Sequence, residues 1–277
     1  PRDANAEQTD NDGDGLCEER EIWFDGQTIT GCANDLHGPH LGIDGWIYWC
    51  KGAKAEQTHE LTDGSQLKDR AAHIFRRRIE GGPIESVMSG GMENLVEVAF
   101  TPTGDRFFSA TFVQLPANGK RDGIGHALYG SVHGRKHAVV SPKEILRTGP
   151  LMPVMTHLGP AAPSGLICLS AATQSLLPHS NKTDSSVLVT AQFNLHRVSA
   201  HRLEPNGAGY RASNHLLMEG DQVDFHPTDI LEDESEGLLI VDTGGWYDLC
   251  CPTSRGDQTV ANGGIYRLRR SDTGERT

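Results

Sequence analysis

The chain of 277 residues carries 32 Gly and 14 Pro, a share well above the roughly 12 % of average usage, and this excludes a helical bundle. Hydrophobic residues at 36 % supply a core for a chain of this length, which excludes intrinsic disorder. The 25 basic against 37 acidic side chains leave a net charge of −12, which repels phosphate backbones and anionic lipid, so nucleic acid is excluded as a partner.

The chain opens at Pro1 without an initiator Met or a charged-then-apolar leader, and reads as cut from a longer protein. No run approaches the ~20 apolar residues of a membrane span. The first feature is an acidic loop from Asp10 to Glu21 that fits the twelve-position D-x-D-x-D-G…E pattern. Asp10, Asp12 and Asp14 stand at its first, third and fifth places, Gly15 at the sixth, the Leu16 carbonyl next, with Glu18 and Glu21 beyond. Such a set converges hard oxygens on one Ca²⁺. Ile22-Trp23-Phe24 then reads as strand, so an EF-like loop in a β setting is expected, with calcium stitching a blade edge; the alternative is an acidic solvated turn.

Residues 1–36 read as the tail of a preceding blade. Four segments then share a polar or Pro/Gly start, a short apolar run, a turn and a β-rich run, beginning at His37, Asn94, Ala162 and His226. Their starts lie 57, 68 and 64 residues apart, the spacing of a propeller or related repeat array, with units 37–93, 94–161, 162–225 and 226–270 in one domain. IDG, TPTG, EPNG and DESEG place Gly where a turn wants positive φ. QLKDRAAHIFRRR, from Gln66 to Arg78, has helical composition and reads equally as strand with an arginine-rich edge. Segments 120–163 and 171–186 lack periodicity and read as long loops.

In a propeller the innermost strands begin near the central channel, so the blade starts are the candidate site. His37 and His40, Asn94 and Glu97, Ser164, and His226 and Asp229 are its members. A His facing a carboxylate there takes the proton of a hydroxyl while hydride leaves the same carbon. The alternatives are a hydrogen-bonded plug for each His and a turn cap for Asp229. His133 and His137 have i, i+4 spacing, but Gly134 denies them a helix, so no zinc pair is expected. G-x-S-x-G, Walker and G-x-G-x-x-G signatures are absent, and none of the six cysteines has C-x-x-C spacing. The adjacent Cys250 and Cys251 read as packed thiols, with a vicinal disulfide as the alternative.

TDNDGDGLCEEREIW, HGPHLGIDGWIYW, GGMENLVEVAFTPTGDRFF, RTGPLMPVMTHLGPAAPSGL, TAQFNLHRVSAHRLEPNG and FHPTDILEDESEGLLIVDTGGWYDLCCPTS together resemble the membrane-bound dehydrogenase domain of planctomycete-type bacterial proteins, related to the soluble quinoprotein glucose/sorbosone dehydrogenases. The resemblance implies an all-β, six-bladed β-propeller, represented here by about four to five blades with the N-terminal ones missing. It also implies export to the periplasm or cell surface and a c-type haem domain in the full-length protein. In the quinoprotein relatives, pyrroloquinoline quinone lies on the channel mouth, a His before the first G-x-D-G turn takes the substrate proton, and an Arg-Asn pair holds the cofactor. Here the turn is Gly42-Ile43-Asp44-Gly45, the place about ten residues before Asp44 is Asn34, and His37 and His40 follow three and six residues later. The Arg-Asn pair is Glu93-Asn94, which sets a negative charge where a tricarboxylate cofactor wants a positive one.

Three functions follow. The first is an exported quinoprotein-like oxidoreductase of a sugar or other alcohol, passing electrons to haem, with His37 or His40 as base and Asn94, His226 and Asp229 orienting the ligand. The second is a non-catalytic carbohydrate- or protein-binding propeller that stacks ligands on Trp46, Trp49, Trp246 and Tyr247. The third is a calcium-assisted lactonase-type hydrolase.

Overall fold

A computed structural model describes residues 4–26, 35–113, 118–135, 147–174, 177, 185–233, 237–245 and 262–269. They fall into two compact units, Pro1–Val96 with Ala127–Pro153, and Glu97–His126 with Val154–Thr277.

In the first unit, β1 (Ala4–Thr9) and β2 (Glu19–Asp25) form a hairpin. A second sheet is an antiparallel run of β3 (Leu36–Leu41), β4 (Trp46–Lys51), β7 (Ala72–Arg78) and β8 (Gly81–Gly91). The hairpin of β5 (Gln57–Glu60) and β6 (Gln66–Asp69) is inserted between β4 and β7, and β12 (Ser131–Gly134) pairs in parallel with β8. Gln66 to Arg78 is therefore two strands. Ala72 to Phe75 are all buried, so β7 shows no alternation of apolar and polar residues, and its Lys, Arg and Ala content carried the helical signal. The core gathers Phe24, Trp49, Phe75 and Ile84. Trp49 is fully buried against Trp23 and Phe24, with ring centroids at 5.5 and 4.4 Å, so it is not a ligand-stacking surface. Trp46 is covered by the guanidinium groups of Arg76 and Arg78 at 4.3 and 4.2 Å.

The second unit holds three sheets. One is β9 (Val98–Phe100), β10 (Arg106–Thr111), β11 (Asp122–His126) and β13 (Thr156–Gly159). The next is β14 (Pro163–Cys168), β15 (Val187–Gln192), β16 (Arg197–Asn206) and β17 (Gly209–Glu219), antiparallel and in sequence order. The last is β18 (Pro227–Asp233), β19 (Gly237–Asp242) and β20 (Gly264–Leu268). The first strands β9, β14 and β18 each end their own sheet, and β14 lies against both others. Small antiparallel sheets of consecutive strands, touching through their first strands, are the blades of a β-propeller.

Two sequence expectations are corrected. Segment 120–163 holds β11, β12 and β13 in place of a long loop. All five residues of β11 are buried, and a Cβ on Gly123 or Gly125 would stand 2.5 Å from Val154 or Phe108, so close packing erased the strand's period. Of 171–186, the described part holds one helical turn, α1 (Ala171–Gln174), whose Thr173 N–H is capped by Ser170 Oγ. Gly45, Gly104 and Gly207 have the positive φ expected of their turns, at 77°, 92° and 63°. Gly237 does not: it opens β19, where a Cβ would stand 3.0 Å from the Leu268 carbonyl oxygen.

Candidate active site

His37 and His40 lie on β3, opposite Cys50 and Tyr48 of β4. The ring Nε2 of His40 is buried. Burial, reinforced by the neighbouring His37, lowers the His40 pKa to about 4, so its imidazole is neutral at neutral pH. Asn94 is half-buried in a left-handed conformation, with φ at 49°. The Glu93 carboxylate beside it accepts a 2.6 Å hydrogen bond from Arg135 and a 3.1 Å contact from the Lys54 ammonium. These two cations were not singled out from the sequence. Arg135 stands 42 residues from Glu93, and only the parallel pairing of β12 with β8 brings it there.

In the second unit the structure brings Glu97, Ser164 and Asp229 to the starts of β9, β14 and β18. Ser164 Oγ donates to the Pro227 carbonyl at 3.2 Å, and Asp229 Oδ1 accepts from the Ile230 N–H at 2.8 Å. Gly165 permits this approach, because a Cβ there would stand 2.7 Å from Asp229 Cα. Burial first, and the Asp229 charge second, push the Glu97 carboxyl up to about 8, against a smaller opposing pull from the Leu166 backbone. Glu97 is thus a neutral acid at pH 7.

His226 is buried and held on several sides. Its N–H donates to Asp242 Oδ1 at 2.8 Å, and its Nδ1 donates to the Gly244 carbonyl at 2.9 Å, which fixes the tautomer. Its ring stacks on Phe193 at 4.5 Å and lies 5.0 Å from the His196 ring. Burial lowers its pKa.

In the acidic loop, oxygens of Asp10, Asp12, Asp14 and Glu18 lie within 4.8 Å of one another, all exposed. Asp10 accepts from the Gly13 and Gly15 N–H groups at 2.6 and 3.0 Å, which hold its carboxyl below the usual range. Asp14 accepts from the Leu16 N–H at 2.8 Å and Glu18 from the Asn11 N–H at 2.7 Å. Glu21 stays outside this group, on β2 opposite Glu7. The fourth carboxylate is that of Glu18, because β2 pairing begins at Glu19 and carries Glu21 away. His133 lies on β12, a strand. Cys17 is exposed, Cys50 buried and Cys168 half-buried. Asn34, His137, Trp246, Tyr247, Cys250 and Cys251 lie outside the described residues. Among the described residues, no helix is long and apolar enough to cross a membrane.

Blades of this kind, with histidines and carboxyls at their first strands, define a β-propeller protein. The chain belongs to the family described as a domain of unknown function, DUF7133, which matches residues 6–157, more than half its length. Solved structures share the fold. The PQQ-bound aldose sugar dehydrogenase of Streptomyces coelicolor aligns with a TM-score of 0.56 and 16 % identity over 90 % of this chain and 66 % of its own. A glucose dehydrogenase aligns at 0.55 and 15 %, over 94 % of this chain and 71 % of its own. An oxidoreductase (glucose dehydrogenase) of Thermus thermophilus aligns at 0.52 and 12 %, over 90 % and 88 %. The chain therefore spans about two thirds of the length of the Streptomyces enzyme. No curated protein matches it.

Proposed function

We propose that this chain is the propeller of an exported, quinoprotein-like oxidoreductase that oxidises a sugar or other alcohol and passes the electrons to a c-type haem partner. The observation that carries the reading is His40, near the end of β3, whose buried imidazole is neutral at neutral pH, on a fold shared with sugar dehydrogenases. A neutral imidazole accepts a hydroxyl proton, and a charged one does not. The motif stretches resembling planctomycete-type dehydrogenases support export and the haem partner.

Pyrroloquinoline quinone carries three carboxylates, so a chain that holds it needs cations. Glu93 alone would repel it, but with Lys54 and Arg135 on its carboxylate the three groups sum to one positive charge beside Asn94. That donor set fits the cofactor, and Asn94, Lys54 and Arg135 are the residues that would hold it. When bound, the quinone supplies the two-electron acceptor for alcohol oxidation. His40, with His37 beside it, takes the hydroxyl proton on an imidazole nitrogen. The loop of Asp10, Asp12, Asp14 and Glu18 holds a structural Ca²⁺ through hard oxygens.

Titration of the full-length protein with pyrroloquinoline quinone in the presence of calcium, followed by dye reduction with a panel of aldoses and alcohols, tests the reading. Micromolar binding and turnover of at least one sugar are expected. His40→Asn should abolish turnover and keep cofactor binding, and Arg135→Ala should weaken that binding about tenfold, or about 1.4 kcal/mol. No binding at micromolar cofactor overturns the proposal.

A further inference from the structure

Ser86, His73 and Asp69 of the first unit form a continuous hydrogen-bonded line that the proposed redox chemistry does not use. His73 Nε2 lies 2.9 Å from Asp69 Oδ2, and His73 Nδ1 lies 2.7 Å from Ser86 Oγ. Burial opposes ionisation of Asp69, but hydrogen bonds from His73, the Gln57 side-chain amide and the Ala71 N–H outweigh it, so the carboxyl sits below the usual range. An ionised carboxylate only accepts. In the neutral imidazole the His73 proton is then on Nε2, and the lone pair of Nδ1 faces the Ser86 hydroxyl, which donates to it. Phe75 stacks on the imidazole at 4.7 Å with an 11° interplanar angle and holds its plane.

The local fold builds this line by a specific irregularity. On β7 and β8, His73 pairs with Ser89 and Ile74 with Met88, but Phe75 pairs with Ser86, so Val87 is an extra residue in β8. Without that bulge Phe75 would face Val87, and Ser86 would point to the other face of the sheet. The slip turns Ser86 to the side of His73 and Phe75. His73 and Asp69 are buried, and Ser86 is half-buried.

We propose that Ser86 is a nucleophile of serine-hydrolase type, with His73 as its general base and Asp69 as the residue that positions the base, acting on carboxylic esters, lactones included. The roles are those of the Ser-His-Asp arrangement, with the two imidazole nitrogens exchanged. Ser86 Oγ attacks the ester carbonyl carbon, and its proton passes to His73 Nδ1. The bond to the leaving alkoxide breaks, and the alkoxide takes that proton from His73. Water then attacks the acyl-Ser86 ester by the same route, which releases the acid and restores the serine.

A fluorophosphonate probe, in which Oγ displaces fluoride from phosphorus, tests this on the wild-type protein with labelled-peptide mapping, and p-nitrophenyl acetate hydrolysis is read in parallel. Label on Ser86, its loss together with esterase activity in Ser86→Ala, and labelling at least about a hundredfold slower in Asp69→Asn are the expected results. A folded wild-type protein that stays unlabelled at Ser86, a Ser86→Ala variant that hydrolyses the ester at the wild-type rate, or an Asp69→Asn variant labelled as fast as wild type overturns the proposal. Neither measurement needs the quinone, so the outcome is independent of the redox reading.

Discussion

At the scale of single residues, burial sets which groups carry charge at neutral pH. His40, His59 and His201 are all lowered to about 4, in each case chiefly by burial. His201 shows how a neutral imidazole is satisfied: Asn214 Oδ1 accepts from its Nδ1 at 2.8 Å, and Thr190 Oγ1 donates to its Nε2 at 2.8 Å. Glu97 moves the opposite way, up to about 8. The consequences for stability have opposite signs. Between pH 4 and 6.5 the unfolded chain binds protons on the three histidines that the folded chain refuses, so stability rises with pH. From 4.5 to 8 the folded chain keeps a proton on Glu97 that the unfolded chain releases, so stability falls with pH. These histidines, joined by His226, whose pKa burial also lowers, outweigh one carboxyl below about pH 6.5, and between there and pH 8 the proton on Glu97 turns the slope downward. Thermal melts at constant ionic strength should peak near pH 6.5 and drop on the order of 10 °C by pH 4.5. Glu97→Gln should flatten the alkaline side. A melting temperature unchanged between pH 6.5 and 4.5 would contradict this assignment. The sequence displays these histidines and this acid, but their protonation depends on neighbours that folding alone supplies.

At the scale of elements, alternation was legible where a strand has one wet face and was lost where it has none. Trp46 to Lys51 reads as strand by its aromatic and β-branched content, and forms β4. Ala72 to Phe75 and Asp122 to His126 are buried throughout, so neither shows period 2. Turn glycines were legible because positive φ has a local cause, as at Gly45, Gly104 and Gly207. Gly165 has a cause of another kind, the passage of β18 against β14. Gly165→Ala should cost about 1–3 kcal/mol by forcing these strands apart, visible as a melting temperature lower by several degrees. A melting temperature unchanged within one degree would show that the two strands separate freely. The Val87 bulge belongs to the same class, since nothing in MSGG or PIESV announces which residue of β8 is the extra one.

At the scale of the whole molecule, a net charge of −12 favours the uptake of cations, and the acidic loop is where hard oxygens already converge. On the proposed calcium role, Ca²⁺ at a hundred times its dissociation constant should stabilise the fold by about 2.7 kcal/mol. The melting temperature should fall by several degrees on chelation. Glu18→Gln should remove that response, whereas Glu21→Gln should keep it, because Glu21 pairs along β2 and stands outside the loop's cluster. A response lost in Glu21→Gln and kept in Glu18→Gln would restore the twelve-position reading. The sequence by itself determined the all-β class, the turn glycines Gly45, Gly104 and Gly207, and the acidic loop whose carboxylates cluster, because each rests on residues close together in the chain. Only the tertiary structure decided that Lys54 and Arg135 neutralise Glu93, that Glu97 meets Asp229 across Gly165, and that Ser86 lines up with His73 and Asp69. Those pairings join distant segments, and their charge states follow from desolvation, which no local pattern of residues encodes.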